Sequence, residues 1–249
     1  MIRIEELVQY NAECLQVSSF RDYGPNGLQV AGKPMVQRLL TGVSACEALL
    51  TQAIAQNADV VLVHHGLFWQ GDDPCIVGLR QRRLRCLLQH DINLLAYHLP
   101  LDAHPLLGNN ARLGHLLGLA GAPTFGEQQL GWLAQESTPV SVGDVVARLH
   151  HVLSRLPLLI GESSRLVRRI AWCTGAAHRW LPEAAAAGAE VFITGEISEP
   201  TVHVAREMGI ALIAAGHHAT ERYGVQALGE HLAERFGLWH QFMDIDNPV

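Results

Sequence analysis

The chain is poor in lysine, in aromatic residues and in long apolar runs. Lys33 is its single lysine, so the 18 basic residues are almost all arginine, and against 24 acidic residues they leave a formal charge of −6. An acidic chain without a basic excess lacks the electrostatic footprint of a dedicated nucleic-acid binder. The one dense basic run, Arg80 to Arg85, has leucines beside it and reads as the solvated face of a helix. No stretch approaches the roughly 18 apolar residues of a membrane span. Glu5 and Glu6 occupy the place where a signal peptide would carry its apolar core. The five cysteines, Cys14, Cys46, Cys75, Cys86 and Cys173, are odd in number and widely spaced, with no C-x-x-C pair. That pattern excludes a disulfide framework and a cysteine zinc site, and it fits a reducing, cytoplasmic location. A P-loop, a G-x-G-x-x-G after a strand and a G-x-S-x-G elbow are also missing, which disfavours dinucleotide cofactors and serine hydrolysis.

What is there is an ordinary apolar content, 49% of 249 residues, and 14 histidines. The apolar pattern alternates strands with amphipathic helices. It predicts a helix over 4–17, a turn-rich loop over 22–27, a strand over 38–43 and a helix over 45–56. Val60 to Val63 is apolar on both faces and predicts a central strand running into His64-His65-Gly66. A helix over 79–90, a strand over 92–97 ending at His98, and a helix over 110–117 follow. The Gly- and Pro-rich residues 118–128 are the candidate boundary. Beyond it, strands are expected over 131–135, 169–173, 191–194, 210–215 and 239–245, and helices over 141–153, 181–187, 200–208 and 225–236.

The halves look duplicated: residues 41–45 answer 173–177, 57–60 answer 188–191, and 92–96 answer 210–214. His98-x-x-x-Asp102 lies 119 residues before His217-x-x-x-Glu221. The expectation is an α/β fold of two similar, interlinked subdomains with mostly parallel sheets, 1–125 and 126–249. The C-terminal segment would pack back on the first, with a dinuclear metal site in the cleft between the two.

Three predicted strand ends carry His64-His65, His98 with Asp102, and His217-His218 with Glu221. Imidazole together with carboxylate suits zinc, iron or manganese, whereas magnesium or calcium would want mostly oxygen. Neighbouring residues of a strand point to opposite faces, so His64 and His65 suit one site only at the strand's end, or two neighbouring metals. Glu221, one turn from His217 if a helix starts there, is the candidate bridge. Glu196 in Thr194-Gly195-Glu196 follows another strand and reads either as a proton acceptor or as a helix-entry acid. His150-His151 reads as surface or packing. His115, His178, His231 and His240 show no partner in the sequence.

Five separated motifs carry a resemblance. Asp22-Tyr23-x-Pro25-Asn26-Gly27-Leu28-Gln29-Val30, Val63-His64-His65-Gly66-Leu67-Phe68-Trp69, His98-Leu99-Pro100-Leu101-Asp102 with Gly108-Asn109-Asn110, Thr194-Gly195-Glu196, and Gly216-His217-x-x-Thr220-Glu221 occur in order. Over nearly its whole length the chain resembles the short bacterial form of the dinuclear-metal family called GTP cyclohydrolase 1 type 2-like, or Nif-three-like. The resemblance implies two divalent ions per chain held by His64, His65, Asp102, His217 and Glu221, with the glutamate bridging. It also implies a hexameric ring and a hydrolase acting on GTP, in which water attacks C8 of guanine, formate leaves and 7,8-dihydroneopterin triphosphate forms. His98 and Glu196 are then the candidate proton carriers. The alternative is a metal-stabilised ring without turnover, acting in DNA metabolism or repair or as a regulatory partner. The acidic charge speaks against direct DNA contact.

Overall fold

The computed structural model describes residues 1–119 and 121–249. They form two compact units, Met1–Gly108 with Gly224–Asp246, and Asn109–Tyr223 with Asn247–Val249.

Unit 1 opens with β1 (Ile2–Arg3) and α1 (Ile4–Cys14), then β2 (Gly27–Val30), β3 (Met35–Val36), β4 (Arg38–Ser44), α2 (Glu47–Ala55), β5 (Val60–His65), α3 (Gly78–Gln89), β6 (Asn93–Ala96) and α4 (Leu99–Ala103). Val60 to Val63 are wholly buried, each side chain contributing about 1.5–3 kcal/mol through burial. This central strand pairs in parallel with β4 on one side and β6 on the other. Antiparallel β2 closes the β6 edge. The arginine run lies on α3, which buries Leu84 and Leu87 while Arg82 pairs with Glu47 and Arg80 with Asp72, as a solvated helix face requires.

Unit 2 holds α5 (Asn109–Leu116), β7 (Thr124–Phe125), β8 (Gly131–Ser141), α6 (Val142–Leu153), β9 (Leu158–Ile160), β10 (Leu166–Cys173), α7 (Leu181–Ala186), β11 (Val191–Thr194), α8 (Glu199–Met208) and β12 (Ala211–Ala214). Its sheet runs β7-β8-β10-β11-β12-β9, parallel across the three strands β10, β11 and β12. Ser141 caps α6 through a reciprocal capping box with Asp144. The long α9 (His217–Phe236) starts in unit 2 and passes at Gly224 into unit 1, where β13 (Trp239–Phe242) pairs in parallel with β4.

The fold is therefore mixed α/β with mostly parallel central strands. The units divide at Gly108, ahead of the Gly- and Pro-rich stretch, whose Ala120 lies outside the described residues. The physical reason is α5: its Asn110 carbonyl accepts from the Trp172 indole, and Leu113 joins the core built on β8, β10 and α6. Four elements, β8, β9, α9 and β13, differ from expectation. β8 is longer than 131–135 and β9 was not foreseen, because both are edge or half-exposed strands without clean apolar alternation. α9 begins at His217 rather than Val225, since Gly216 (φ +101°) makes the turn and Thr220 closes the first turn onto the Gly216 carbonyl. β13 ends at Phe242 rather than 245.

Candidate metal centre

In unit 1 the ligand candidates stand at the C-terminal ends of β5 and β6. Strand pairing continues through His65, opposite Ser44, yet the His64 and His65 rings lie 4.6 Å apart. The His98 ring is 4.9 Å from His64 and 5.7 Å from His65, and one nitrogen from each of the three can be chosen so that all lie within 4.8 Å of one another. Gly66 makes room for Gln29 beside the strand end, because a Cβ there would fall 2.2 Å from the Gln29 amide oxygen that accepts from the Leu67 N–H.

His64 is fully buried and its Nδ1 donates to the Tyr97 carbonyl at 2.9 Å. A carbonyl only accepts, so a proton sits on Nδ1 and Nε2 is the nitrogen that could ligate a metal. That Nε2 lies 3.5 Å from Asp102 Oδ2, on a carboxylate 7% exposed at the start of α4. Two electron-rich atoms facing each other away from water ask for a cation between them, a proton or a metal. His65 Nδ1 pairs with Ser44 Oγ at 3.0 Å. His98 Nδ1 pairs with Asp22 Oδ1 at 2.7 Å; burial pushes the Asp22 carboxyl up, but its hydrogen bonds to His98, Asn26 and the Leu99 N–H outweigh this and hold it at about 2.

In unit 2 the corresponding pair is His217 and Glu221, one turn apart at the start of α9, with His217 Nε2 3.0 Å from Glu221 Oε2. Glu196 Oε1 takes the other nitrogen, Nδ1, at 2.5 Å. Burial disfavours charge on His217, but Glu221 and then Glu196 outweigh it and raise its pKa to about 9 in the metal-free chain. Gly175 (φ +69°) lies against this pair: a Cβ would meet Glu221 Oε1 at 2.2 Å. The strand-end loops are laced together by Gly195 N–H to the Gly175 carbonyl and Gly216 N–H to the Gly195 carbonyl.

In each unit, then, imidazoles have one nitrogen tied to an oxygen partner and the other placed among the candidate ligand atoms. Metal-binding histidines are oriented in this way, and the donor set fits a borderline divalent ion. Sequence reasoning gave Asp22 no role at the site: it stood in a turn-rich loop and in a motif of the family resemblance, and nothing along the chain joined it to His98. Several other histidines prove structural: His231 Nε2 bonds Tyr10 Oη at 2.6 Å and His240 Nε2 bonds Thr41 Oγ1 at 2.9 Å. His150 and His151 are exposed on α6.

The family model for Duf34/NIF3 (NGG1p interacting factor 3) matches residues 2–248. The chain belongs to the DUF34/NIF3 family. Within it, the chain is 51% identical over 254 residues to a Pseudomonas aeruginosa protein called GTP cyclohydrolase 1 type 2 homolog, covering all of this chain and 99% of that one. A protein of the same name from Allochromatium vinosum is 48% identical over 250 residues, covering all of this chain and 98% of that one. Among solved structures, protein ybgI, described as of unknown function, superposes with a TM-score of 0.93 at 46% identity over the full length of both chains. TTHA1606 from Thermus thermophilus does so at 0.91 and 37%, again over both full lengths. Among the described residues no helix is long and apolar enough to cross a membrane.

Proposed function

We propose that this DUF34/NIF3 protein is a dinuclear-metal-dependent hydrolase of the GTP cyclohydrolase type, converting GTP and water to formate and 7,8-dihydroneopterin triphosphate. His64, His65, Asp102, His217 and Glu221 would hold two divalent ions, zinc, iron or manganese, with Glu221 as the candidate bridge. The observation that carries the reading is the buried His64–Asp102 approach, where Nε2 and a carboxylate oxygen face each other at 3.5 Å. The names of the relatives support the nucleotide substrate.

A pair of such ions lowers the pKa of water toward neutrality and stabilises developing oxyanion charge. The chain's own residues do the rest. Tyr97 and Glu196 hold His64 and His217 through Nδ1. His98 takes a proton at Nε2 and returns it to the ring nitrogen freed as formate leaves, and Glu196, 38% exposed at its side chain, exchanges protons with solvent directly. The reading also includes a hexameric ring and a cytoplasmic location in which the five thiols stay reduced.

The test is metal content by elemental analysis on protein purified without a chelating tag, followed by a formate-release assay with GTP. We expect close to two ions per chain, falling at least to one in Glu221→Ala, and formate in step with metal loading. Two ions without formate from any guanine nucleotide would leave the non-catalytic ring, acting in DNA metabolism or as a regulatory partner. No ions after zinc, iron and manganese have each been offered would overturn the metal reading as well.

A further inference from the structure

The turn at Asp22-Tyr23-Gly24-Pro25-Asn26 has no role in the proposed chemistry so far, yet its polar groups converge on one histidine. Asp22 Oδ1 pairs with His98 Nδ1 at 2.7 Å, while Oδ2 accepts from the Asn26 amide at 2.8 Å and from the Leu99 N–H at 2.9 Å. Asn26 in turn accepts the His98 N–H through Oδ1 at 2.7 Å. The Asp22 side chain is 3% exposed and that of His98 19%. A buried carboxylate with both oxygens committed accepts and does not donate, so His98 carries a proton on Nδ1, and Nε2 is the nitrogen that Asp22 does not hold. Trp69 stands edge-on to the His98 ring at 5.1 Å and 87°, limiting its rotation. The second unit repeats the device, with Glu196 on Nδ1 of His217.

We infer that Asp22 is a positioning residue for the proposed reaction: it fixes the tautomer and rotation of His98 so that Nε2 is presented beside the His64 and His65 imidazoles, where the proton is taken up. The turn motif thus serves the site rather than chain reversal alone. The kinetic consequence rests on the hydrolase reading above; the tautomer does not.

The experiment compares wild type with Asp22→Asn and Asn26→Ala, each as the full chain, metal-free and zinc-loaded. Imidazole 15N NMR, with the His98 signal assigned by its loss in His98→Gln, reads the tautomer. Formate release from GTP reads kcat and KM, and elemental analysis reads bound zinc. The inference expects Nδ1–H in wild type and in Asn26→Ala. In Asp22→Asn it expects a shift to Nε2–H, because an amide NH2 donates where the carboxylate accepted. With it should come a kcat lower by about 10- to 100-fold, KM within about threefold and unchanged zinc content. An Nδ1–H signal persisting in Asp22→Asn, or equal losses in both variants, would reduce Asp22 to a structural turn residue. Should wild type release no formate, the hydrolase reading falls while the tautomer result still decides what Asp22 does.

Discussion

His217 shows how much a single side chain depends on neighbours far away in sequence. Its pKa of about 9 arises because Glu221 and Glu196 outweigh the opposing burial. A folded-state value above the unfolded one, near 6.5, means stabilisation that is complete below about pH 6.5 and lost as pH rises through about 9. Urea denaturation of metal-free protein should therefore show stability falling between about pH 6.5 and 9.5, with a shallower fall in His217→Gln. Zinc loading, which requires the neutral imidazole, should flatten the profile. Gly175 makes a second residue-scale case: alanine there is strained at φ +69° and pushes its Cβ to 2.2 Å from Glu221 Oε1. Gly175→Ala should weaken zinc binding by about 10- to 100-fold, as loss of ligand orientation generally does. Competition with a chromogenic chelator measures it, and circular dichroism should show the fold retained. The ligand types were legible from the sequence at this scale. The oxygen partners of their far nitrogens were not, since Tyr97, Asp22 and Ser44 meet them only through folding.

Among the elements, two of the segments that answer one another in the sequence carry the same hydrogen-bonding device in the structure. Asp59, ahead of β5, accepts from the Gln37 and Arg38 N–H groups at 3.0 Å each; Glu190, ahead of β11, accepts from the Arg168 and Arg169 N–H groups at 2.9 Å each. In both units an acid before the second parallel strand thus ties down the backbone of the first. Burial of Asp59 is outweighed by Lys33 and those two amides, so its carboxyl lies below the usual value. The sign follows: the stabilisation is present above the unfolded pKa of about 4 and lost as pH falls through the folded value. Asp59→Ala should cost on the order of 1–2 kcal/mol at pH 7, and the gap to wild type in denaturant titrations should narrow below about pH 4. Strong periodicity exposed the central strands and the helices α2, α3 and α8. Edge strands β2 and β9 and the first two turns of α9 escaped. Their residues are half-exposed or polar, and the reason α9 starts where it does is Gly216 and its neighbours rather than any apolar repeat.

For the whole molecule, metal should act as a folding ligand. An ion that binds only the folded chain stabilises it by about 2.7 kcal/mol at a hundredfold excess over Kd. Chelator treatment should therefore lower Tm, zinc or manganese should restore it, and the response should be smaller in Glu221→Ala. Analytical ultracentrifugation of the loaded protein checks the proposed hexamer. The sequence by itself determined the α/β class, the central strands and the residue types capable of ligating a metal, because period, composition and spacing are local properties of the chain. Tertiary structure alone decided that the first unit ends at Gly108, that α9 begins at His217, and that Asp22 meets His98 across 76 positions. Those outcomes depend on which buried polar groups find partners and which side chains fill a core, and such partners are chosen in space rather than along the chain.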